Sequence, residues 1–291
     1  MGKPMSLDTQ TFGISRYWLS SALTKLPSNP ELFSASSLCT ARKTFLAGKN
    51  QVAAIKNWLV SSEVVTVSSK QATLTDLGRL MAAKDSRAES AWTWWLFHLH
   101  LCANQDSFPY CTFFKEFEFE MNSWLSFDEI IAKLVDSQHG DSRVTENTVK
   151  TYFEGIEQTF QPTWPIYGLG LVERRSAPVE SKKELIRRCR AEPKDLIVLY
   201  ATLLLQHKFF TNQSTVEAKQ LIDKGLGRIL GIGIGNVRSA LDRIHQDMTL
   251  GKFIQYSHAA NLDSIQFLKK GDDALKQVRL HTYEGGNVRW P

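Results

Sequence analysis

A lysine and an asparagine at the start of a predicted helix are the residues best suited to contact phosphate. They stand in the sequence LAGKNQVAAIKNWL, which runs from Leu46 to Leu59. A nucleotide-binding loop of the type G-x-x-x-x-G-K-[ST] needs a first glycine, and it needs a hydroxyl after the lysine to hold a metal ion. Lys43 stands in place of that glycine and Asn50 in place of that hydroxyl. The spacing therefore favours a glycine turn and an amphipathic helix over a nucleotide site.

The predicted helix would present cations to a polyanion such as DNA. Apolar residues recur at helical spacing from Val52 to Leu59 and predict a buried face, whereas Lys49 and Lys56 lie on the polar face. The chain has 35 Lys and Arg against 30 Asp and Glu, a net charge of +5, which permits a polyanionic partner without requiring one. The candidate DNA contacts at this end of the chain are Lys43, Lys49, Asn50 and Lys56.

A second candidate phosphate contact surrounds the sequence GIGIG at residues 231–235. The dinucleotide fingerprint needs G-x-G-x-x-G between a strand and a helix, so this spacing favours a turn between two helices. A helix that begins at Gly235 and Asn236 would expose unpaired N–H groups, to which a DNA phosphate could dock. The candidate contacts here are Arg228, Asn236 and Arg238.

Acidic side chains that could hold Mg²⁺ for phosphodiester hydrolysis cluster in one part of the chain. Glu116, Glu118 and Glu120 alternate with phenylalanines, which predicts one polar face of a strand, and Asp128 follows soon after. A solvent face on an amphipathic strand is the more common explanation of such a pattern. The sequence contains no recognisable nuclease motif and no motif for a Ser or Cys triad. The metal candidates Glu118, Glu120 and Asp128 therefore rest on charge clustering alone.

Cysteine spacing and hydropathy indicate a cytoplasmic protein. Cys39, Cys102, Cys111 and Cys189 are far apart and form no C-x-x-C pair, so they predict buried free thiols rather than a zinc site or a disulfide framework. The N-terminus has no apolar signal core, and no apolar run reaches the length of a membrane span.

The elements that would position these residues recur three times as helix, turn, helix and β-rich stretch. This order predicts a mainly α fold with small β wings, built as tandem winged-helix-like units, in which the second helix of a pair could enter a major groove. We predict a DNA-binding unit with a helical connector at residues 1–105, a second unit at 106–175, and a basic linker with a C-terminal unit at 176–291.

Several element boundaries follow from local signals. The first unit should contain helices at 36–43 and 49–60 and strands at 64–67 and 71–74, followed by a helix after Thr75. Trp92, Trp95 and their neighbours form an aromatic stripe typical of a core helix, on which His98 and His100 face different sides.

The rest of the chain carries caps, a charged linker and a hairpin. Ser126 with Glu129 forms a capping box, and Thr145 and Ser214 are N-cap candidates. Residues 253–268 predict a hairpin. The segment 172–194 predicts a linker with a short basic helix, which is either a solvated charged stretch or a phosphate contact through Arg187, Arg188 and Arg190.

Six blocks of the sequence occur in an order that resembles a known bacterial family. They are TQTFGISRYWL, GKNQVAAIKNWL, LTDLGRLM, WWLFHLHL, FFKEFEFE and VTENTVKTYF. They resemble the SspB-like family, the DNA-nicking proteins of the single-strand DNA phosphorothioation (Ssp) system, which serves in anti-phage defence. The resemblance covers about residues 8 to 280, and its most specific piece is Gly48-Lys49-Asn50. A histidine usually stands two residues before the Thr-Phe of the first block, where this chain has Thr9.

The resemblance implies a cytoplasmic protein that binds DNA, cuts one strand with Mg²⁺ and works with other proteins of the phosphorothioation system. By motif it carries over Lys49 and Asn50, and it assigns no catalytic residue. Two other hypotheses stay open. The chain could be a non-catalytic DNA-binding regulator or recruiting subunit, because winged helices bind DNA far more often than they cut it. It could also be a protein-interaction scaffold if the Trp92 to Trp95 region is exposed.

Overall fold

The computed structural model describes residues 7–119, 124–137, 145–176, 184–259 and 262–284. The helices in these ranges are α1 (Arg16–Lys25), α2 (Leu38–Phe45), α3 (Lys49–Ser61), α4 (Asp76–Lys84), α5 (Ala91–Ala103), α6 (Tyr110–Glu116), α7 (Phe127–Asp136), α8 (Glu146–Gln158), α9 (Asp195–Phe209), α10 (Ala218–Asp223), α11 (Leu226–Leu230), α12 (Ile234–Gln246) and α13 (Gly271–Glu284). The strands are β1 (Val65–Ser68), β2 (Gln71–Leu74), β3 (Leu125–Ser126), β4 (Val172–Ser176), β5 (Glu184–Arg188), β6 (Thr215–Glu217), β7 (Ile254–Ala259) and β8 (Leu262–Phe267).

The strands form small antiparallel sheets beside a mainly helical body. Strands β1 and β2 pair with each other, β5 lies between β3 and β4, and β8 lies between β6 and β7. The predicted fold class, mainly α with small β elements, is confirmed. The winged-helix character of the units and their division at residues 105 and 175 stay predictions.

The first helix pair and its hairpin match the sequence signals closely. Helix α3 begins at Lys49, and the N–H of Gly48 before it donates to Oε1 of Gln51 at 2.7 Å. The two hairpin strands are joined by Ser69 and Lys70, which both have positive φ angles. That geometry matches the right-handed twist of the flanking strands, so a two-residue turn suffices.

Helix α5 is the centre of the core. All thirteen of its residues are buried, although the helix contains two histidines. A helix that is apolar on every side must be covered on every side, and α5 packs on α6 and α9. The prediction that the aromatic stripe is core is therefore confirmed, and the scaffold hypothesis loses the exposed Trp92 to Trp95 surface on which it depended.

Caps in the middle of the chain are also confirmed, but one predicted strand is wrong. Ser126 and Glu129 form the capping box of α7, and Thr145 caps α8. The alternating stretch at 116–120 was expected to be a strand, whereas helix α6 runs to Glu116 and residues 117–119 form no regular element. Phe117 packs against Phe113 of α6, four residues before it, which matches helical rather than alternating spacing up to that point.

The basic segment after residue 171 is a hairpin rather than a linker with a helix. Strands β4 and β5 pair with Val172 opposite Arg188. Arg188 is only 2% exposed, so its predicted phosphate contact is wrong, while Arg187 pairs with Glu173 through its Nη2 at 2.6 Å. Farther along, Ser214 does not cap a helix, because strand β6 follows it and α10 begins only at Ala218.

The predicted hairpin near the C-terminus is confirmed as β7 and β8, whose predicted turn includes residues 260 and 261, outside the described residues. The cysteines are free thiols, as expected, although Cys39 is exposed and Cys189 is only partly buried. Within the described residues, no helix is long and apolar enough to cross a membrane.

Candidate functional site

Three cations surround the turn between α2 and α3 and form what we term the basic ridge, namely Arg42, Lys43 and Lys49. Arg42 and Lys43 lie in the last turn of α2, and Lys49 is the first residue of α3. All three side chains are exposed, and so is Asn50 beside them. None of the three cations has an ion pair with any residue that the structure describes. With respect to the described part of the chain, the ridge is therefore an uncompensated positive surface.

The exposed face of α3 connects the ridge with a cleft. Lys49, Ala53 and Lys56 follow one another at helical spacing on the side of α3 away from its buried face. Lys56 is partly buried because it borders the cleft together with Asn57. From Lys49 to Lys56 the helix rises about 10 Å. Of the four predicted contacts in this part of the chain, Lys43, Lys49 and Asn50 thus lie on the surface and Lys56 lies at the cleft.

The cleft has a volume of about 1040 Å³ and is bordered by α3, β1, α4, α5, α8, α9 and α13. Its charged lining is balanced, because four basic residues face four acidic residues. They are Lys56, Arg79, Lys208 and Arg279 against Asp8, Glu63, Asp76 and Asp272. Some of these charges pair with each other, including Arg79 with Asp76, one turn apart on α4, and Lys208 with Glu63.

A chain of hydrogen bonds leads from the cleft into the core. Glu63 Oε2 lies 2.7 Å from His100 Nδ1, and His100 Nε2 lies 2.7 Å from the hydroxyl of Tyr200. Nε of Arg279 donates to the same hydroxyl at 2.9 Å. Neutral His100 with its proton on Nδ1 satisfies every member, because it then donates to Glu63 and accepts the Tyr200 proton.

Burial and the neighbouring charges determine the ionisation state of these hydrogen-bonded side chains. Burial raises the pKa of Glu63, but hydrogen bonds from His100 and Lys208 and the charge of Lys208 outweigh this effect and lower the pKa to about 2. Burial lowers the pKa of His100, and the carboxylate of Glu63 opposes this shift without reversing it. Burial raises the pKa of Tyr200 to about 12. At neutral pH, Glu63 is therefore charged, and His100 and Tyr200 are neutral.

The predicted contacts in the C-terminal part differ from those of the ridge because their charges are compensated. Arg228 pairs with Glu118 at 3.1 Å, and its Nη1 donates to the carbonyl of Lys115. Arg238 pairs with Asp263 at 2.6 Å. Asn236 is exposed and borders a small cavity of about 170 Å³. The structure thus brings Lys43, Lys49 and Asn50 together, but it does not bring the arginines into that group.

Of the predicted metal ligands, Glu118 and Asp128 lie within the described residues. Glu118 is held by Arg228, and Asp128 lies in the first turn of α7, where the helix dipole favours a carboxylate. Glu120 lies outside the described residues. Within the described residues, no three side chains of His, Cys, Asp or Glu form a group that could hold a metal ion. The prediction of Glu118, Glu120 and Asp128 as Mg²⁺ ligands therefore stays a prediction.

Sequence patterns missed the polar lining of the cleft. Glu63, His100 and Arg279 stand far apart in the sequence, and nothing in the local pattern of each one points to the others. His100 and His98 were correctly expected to face different sides of α5, and His98 bonds to Tyr110 and to the carbonyl of Ile229 instead. Only the tertiary fold reveals that one of the two histidines belongs to the cleft.

Comparison with known proteins gives a family and a fold. The chain matches, over residues 8–283, the family described as protein of unknown function (DUF4007). No curated protein matches it. It is similar to the magnesium ion-bound SspB crystal structure, with a TM-score of 0.75, 17% identity, and coverage of 99% of this chain and 90% of that chain. It is also similar to an SspB crystal structure, with a TM-score of 0.73, 18% identity, and coverage of 99% and 91%. The expected resemblance to SspB is confirmed in fold.

Proposed function

The chain belongs to the DUF4007 family, and from that premise and its SspB-like fold we propose that it is a DNA-nicking endonuclease. It cuts one strand of duplex DNA during phosphorothioate modification and anti-phage defence. Its partners are DNA and the other proteins of the phosphorothioation system, and it works in the cytoplasm. The helix α3 is the element that approaches the DNA.

The uncompensated charge of the basic ridge is the observation that carries this proposal. A cation with no carboxylate partner keeps its full attraction for phosphate, whereas a paired cation must first give up its partner. The ridge cations lie at the turn between two helices, and α3 is followed by the hairpin of β1 and β2. This order of elements supports a winged-helix-like unit, whose second helix would enter the major groove.

Mg²⁺ is the proposed cofactor, because one of the similar structures is a magnesium ion-bound SspB. A bound divalent ion would polarise a phosphodiester and lower the pKa of its attacking water. The described residues form no group that could hold such an ion, so we assign no ligand. Glu118, Glu120 and Asp128 stay candidates that only mutation can test.

The proposal is tested with supercoiled plasmid. We expect conversion to the open circle in Mg²⁺ and no conversion in EDTA. The variant Lys43→Ala with Lys49→Ala should nick more slowly, because it removes two ridge cations and weakens DNA binding. Its matched control is Lys25→Ala with Lys219→Ala, two exposed lysines outside the ridge, which should nick at the wild-type rate.

A non-catalytic DNA-binding subunit, acting as a regulator or recruiter, is the second candidate. The lack of a metal-binding group among the described residues favours it. The same plasmid assay separates the two functions, because such a subunit would shift the plasmid in a gel in either buffer and would leave it supercoiled. That result would overturn the nicking proposal and keep DNA binding.

A further inference from the structure

Leu46, in the turn between α2 and α3, has two features that are unfavourable for stability. Its side chain is 78% exposed, and its backbone is left-handed, with φ at 49° and ψ at 46°. A left-handed residue just after a helix is usually glycine, because a Cβ is disfavoured there. Glycine at this position would relieve the backbone and remove an apolar side chain from water. The fold itself therefore gives no reason for a leucine.

The turn that displays Leu46 is held rigidly. Helix α2 ends in two bonds to the carbonyl of Arg42, which accepts the N–H of Leu46 and, at 3.0 Å, the N–H of Ala47. The next free carbonyls are capped by helix α1, because the Tyr17 hydroxyl donates to Thr44 O at 3.1 Å and Trp18 Nε1 donates to Phe45 O at 3.1 Å. On either side of Leu46, Phe45 and Ala47 are buried. Leu46 is thus presented on a fixed support and needs little ordering on binding.

The surroundings of Leu46 indicate what covers it. Lys43 precedes it by one helical turn, Lys49 follows it by three residues, and neither has an ion pair with a described residue. Tyr17, whose hydroxyl bonds beside the turn, is itself 49% exposed. An apolar residue flanked by unpaired cations is complementary to nucleic acid, where phosphates border the apolar faces of bases and sugars.

We propose that Leu46 is an apolar contact to the bases of duplex DNA, placed between phosphates that Lys43 and Lys49 bind. This inference rests on the proposed DNA-binding function and adds a specific contact to it. The contact is insensitive to salt, because apolar burial releases no counterions, whereas each lysine contact is lost as salt rises. The two kinds of contact therefore differ in how their loss changes the salt dependence of Kd.

The experiment measures the Kd for a duplex oligonucleotide over a series of salt concentrations with the intact chain. Leu46→Asn keeps a residue that tolerates the left-handed backbone but removes the apolar contact. We expect its Kd to rise about tenfold, roughly the effect of losing the burial of one aliphatic side chain. The line of log Kd against log salt should shift in parallel, and the melting temperature should be unchanged or higher. Leu46→Met should bind like the wild type.

Controls make each outcome decisive. Met248→Asn changes another exposed apolar side chain, 90% exposed and outside the ridge, and should leave Kd unchanged. Lys43→Ala with Lys49→Ala should flatten the salt dependence. An unchanged Kd in Leu46→Asn, or a change in its salt slope, would overturn the apolar contact and leave DNA binding standing. Failure of the wild type to bind duplex DNA would instead overturn the proposed function, and this inference with it.

Discussion

Single residues in the cleft lining show how buried charge is stabilised in this protein. Glu63 stays ionised because Lys208 and His100 both contact its carboxylate, and its side chain is 31% exposed to water. His100 stays neutral because burial disfavours a second positive charge near Arg279. These interactions stabilise the fold only while the carboxylate of Glu63 is charged. Protonation of Glu63 in acid should therefore lower the stability of the folded protein.

The first prediction concerns the pH dependence of stability. The folded pKa of His100 lies below its ordinary value of 6.5, so stability falls as pH drops below 6.5 and the unfolded chain takes up the proton. The folded pKa of Glu63 is about 2 against 4.5 in the unfolded chain, so its contribution is present above 4.5 and is lost as pH falls toward 2. We expect the melting temperature to decline from about pH 6 to about pH 3.

Glu63→Gln separates the two contributions. The variant should lose about 2 kcal/mol of unfolding free energy at neutral pH, because Lys208 and His100 lose a charged partner. Its decline below pH 4.5 should be shallower than that of the wild type. Glu31→Gln, at an exposed site, is the control and should follow the wild type throughout. Identical acid limbs in Glu63→Gln and the wild type would contradict our assignment of the carboxylate.

Among the elements, α6 and α11 are joined by the single guanidinium of Arg188. Its Nη1 donates to the carbonyl of Phe114 at 2.8 Å, and its Nη2 donates to the carbonyl of Arg228 at 2.6 Å. Burial lowers its pKa to about 10, so it remains charged at neutral pH. A cation suits the last carbonyls of helices, which carry partial negative charge.

The second prediction tests this bridge with Arg188→Lys. An ammonium keeps the charge but lacks the planar fork that reaches two helices, so about 2 kcal/mol of unfolding free energy should be lost. Chemical denaturation measures the loss. Arg190→Lys, two residues along at an exposed position, is the matched control and should be neutral within about 0.5 kcal/mol. Equal stability of the two variants would show that the bridge is not needed.

The sequence could predict elements that depend on neighbouring residues, but not those that depend on distant partners such as the ones of Arg188. Caps such as Ser126 with Glu129, and the helix start at Lys49, depend on residues a few positions apart, and these predictions are confirmed. Strand β5 was missed because it carries Arg188, which is stable there only through distant carbonyls. Local sequence describes neighbours along the chain and contains no information about such partners.

At the scale of the whole molecule, the N-terminal segment at residues 9–13 packs against α8 and is hydrogen-bonded to it. The buried Thr9 hydroxyl donates to Tyr152 O at 2.7 Å, and Gly13 N donates to Gln158 Oε1 at 3.0 Å. Thr9 therefore has a packing role. The two backbones approach closely, since a Cβ on Gly155 would lie 2.8 Å from the amide nitrogen of Phe12.

The third prediction is that Gly155→Ala is destabilising. The methyl group would meet Thr9 and the backbone of Phe12, so a net loss of about 2 kcal/mol is expected after the gain in helix propensity is included. Gly235→Ala is the control, because that position on α12 has open space, and its stability should be unchanged or up to about 1 kcal/mol higher. Denaturation curves of both variants measure the change in unfolding free energy. A Gly155→Ala variant as stable as the wild type would contradict the close approach of the two backbones.

The candidate site could be predicted only in part from the sequence. Lys49 and Asn50 were found because they follow a glycine at a helix start, and a short pattern is enough to mark such a place. The cleft escaped prediction because its lining comes from seven helices and strands spread over the chain. The prediction of mainly α structure needed no such long-range information and is confirmed.

Helix α5 has a consequence for how this chain can vary. Through Trp94 it bonds to Ala88 before it, and through His98 and Thr93 it bonds to Ile229 and Tyr283 near the other end of the chain. A hybrid protein could combine the N-terminal part of one family member with the C-terminal part of another. Its residues would then have to pack correctly against α5 on every side. Recombination should therefore be tolerated at the outer turns, while the sequence around α5 is inherited as a whole.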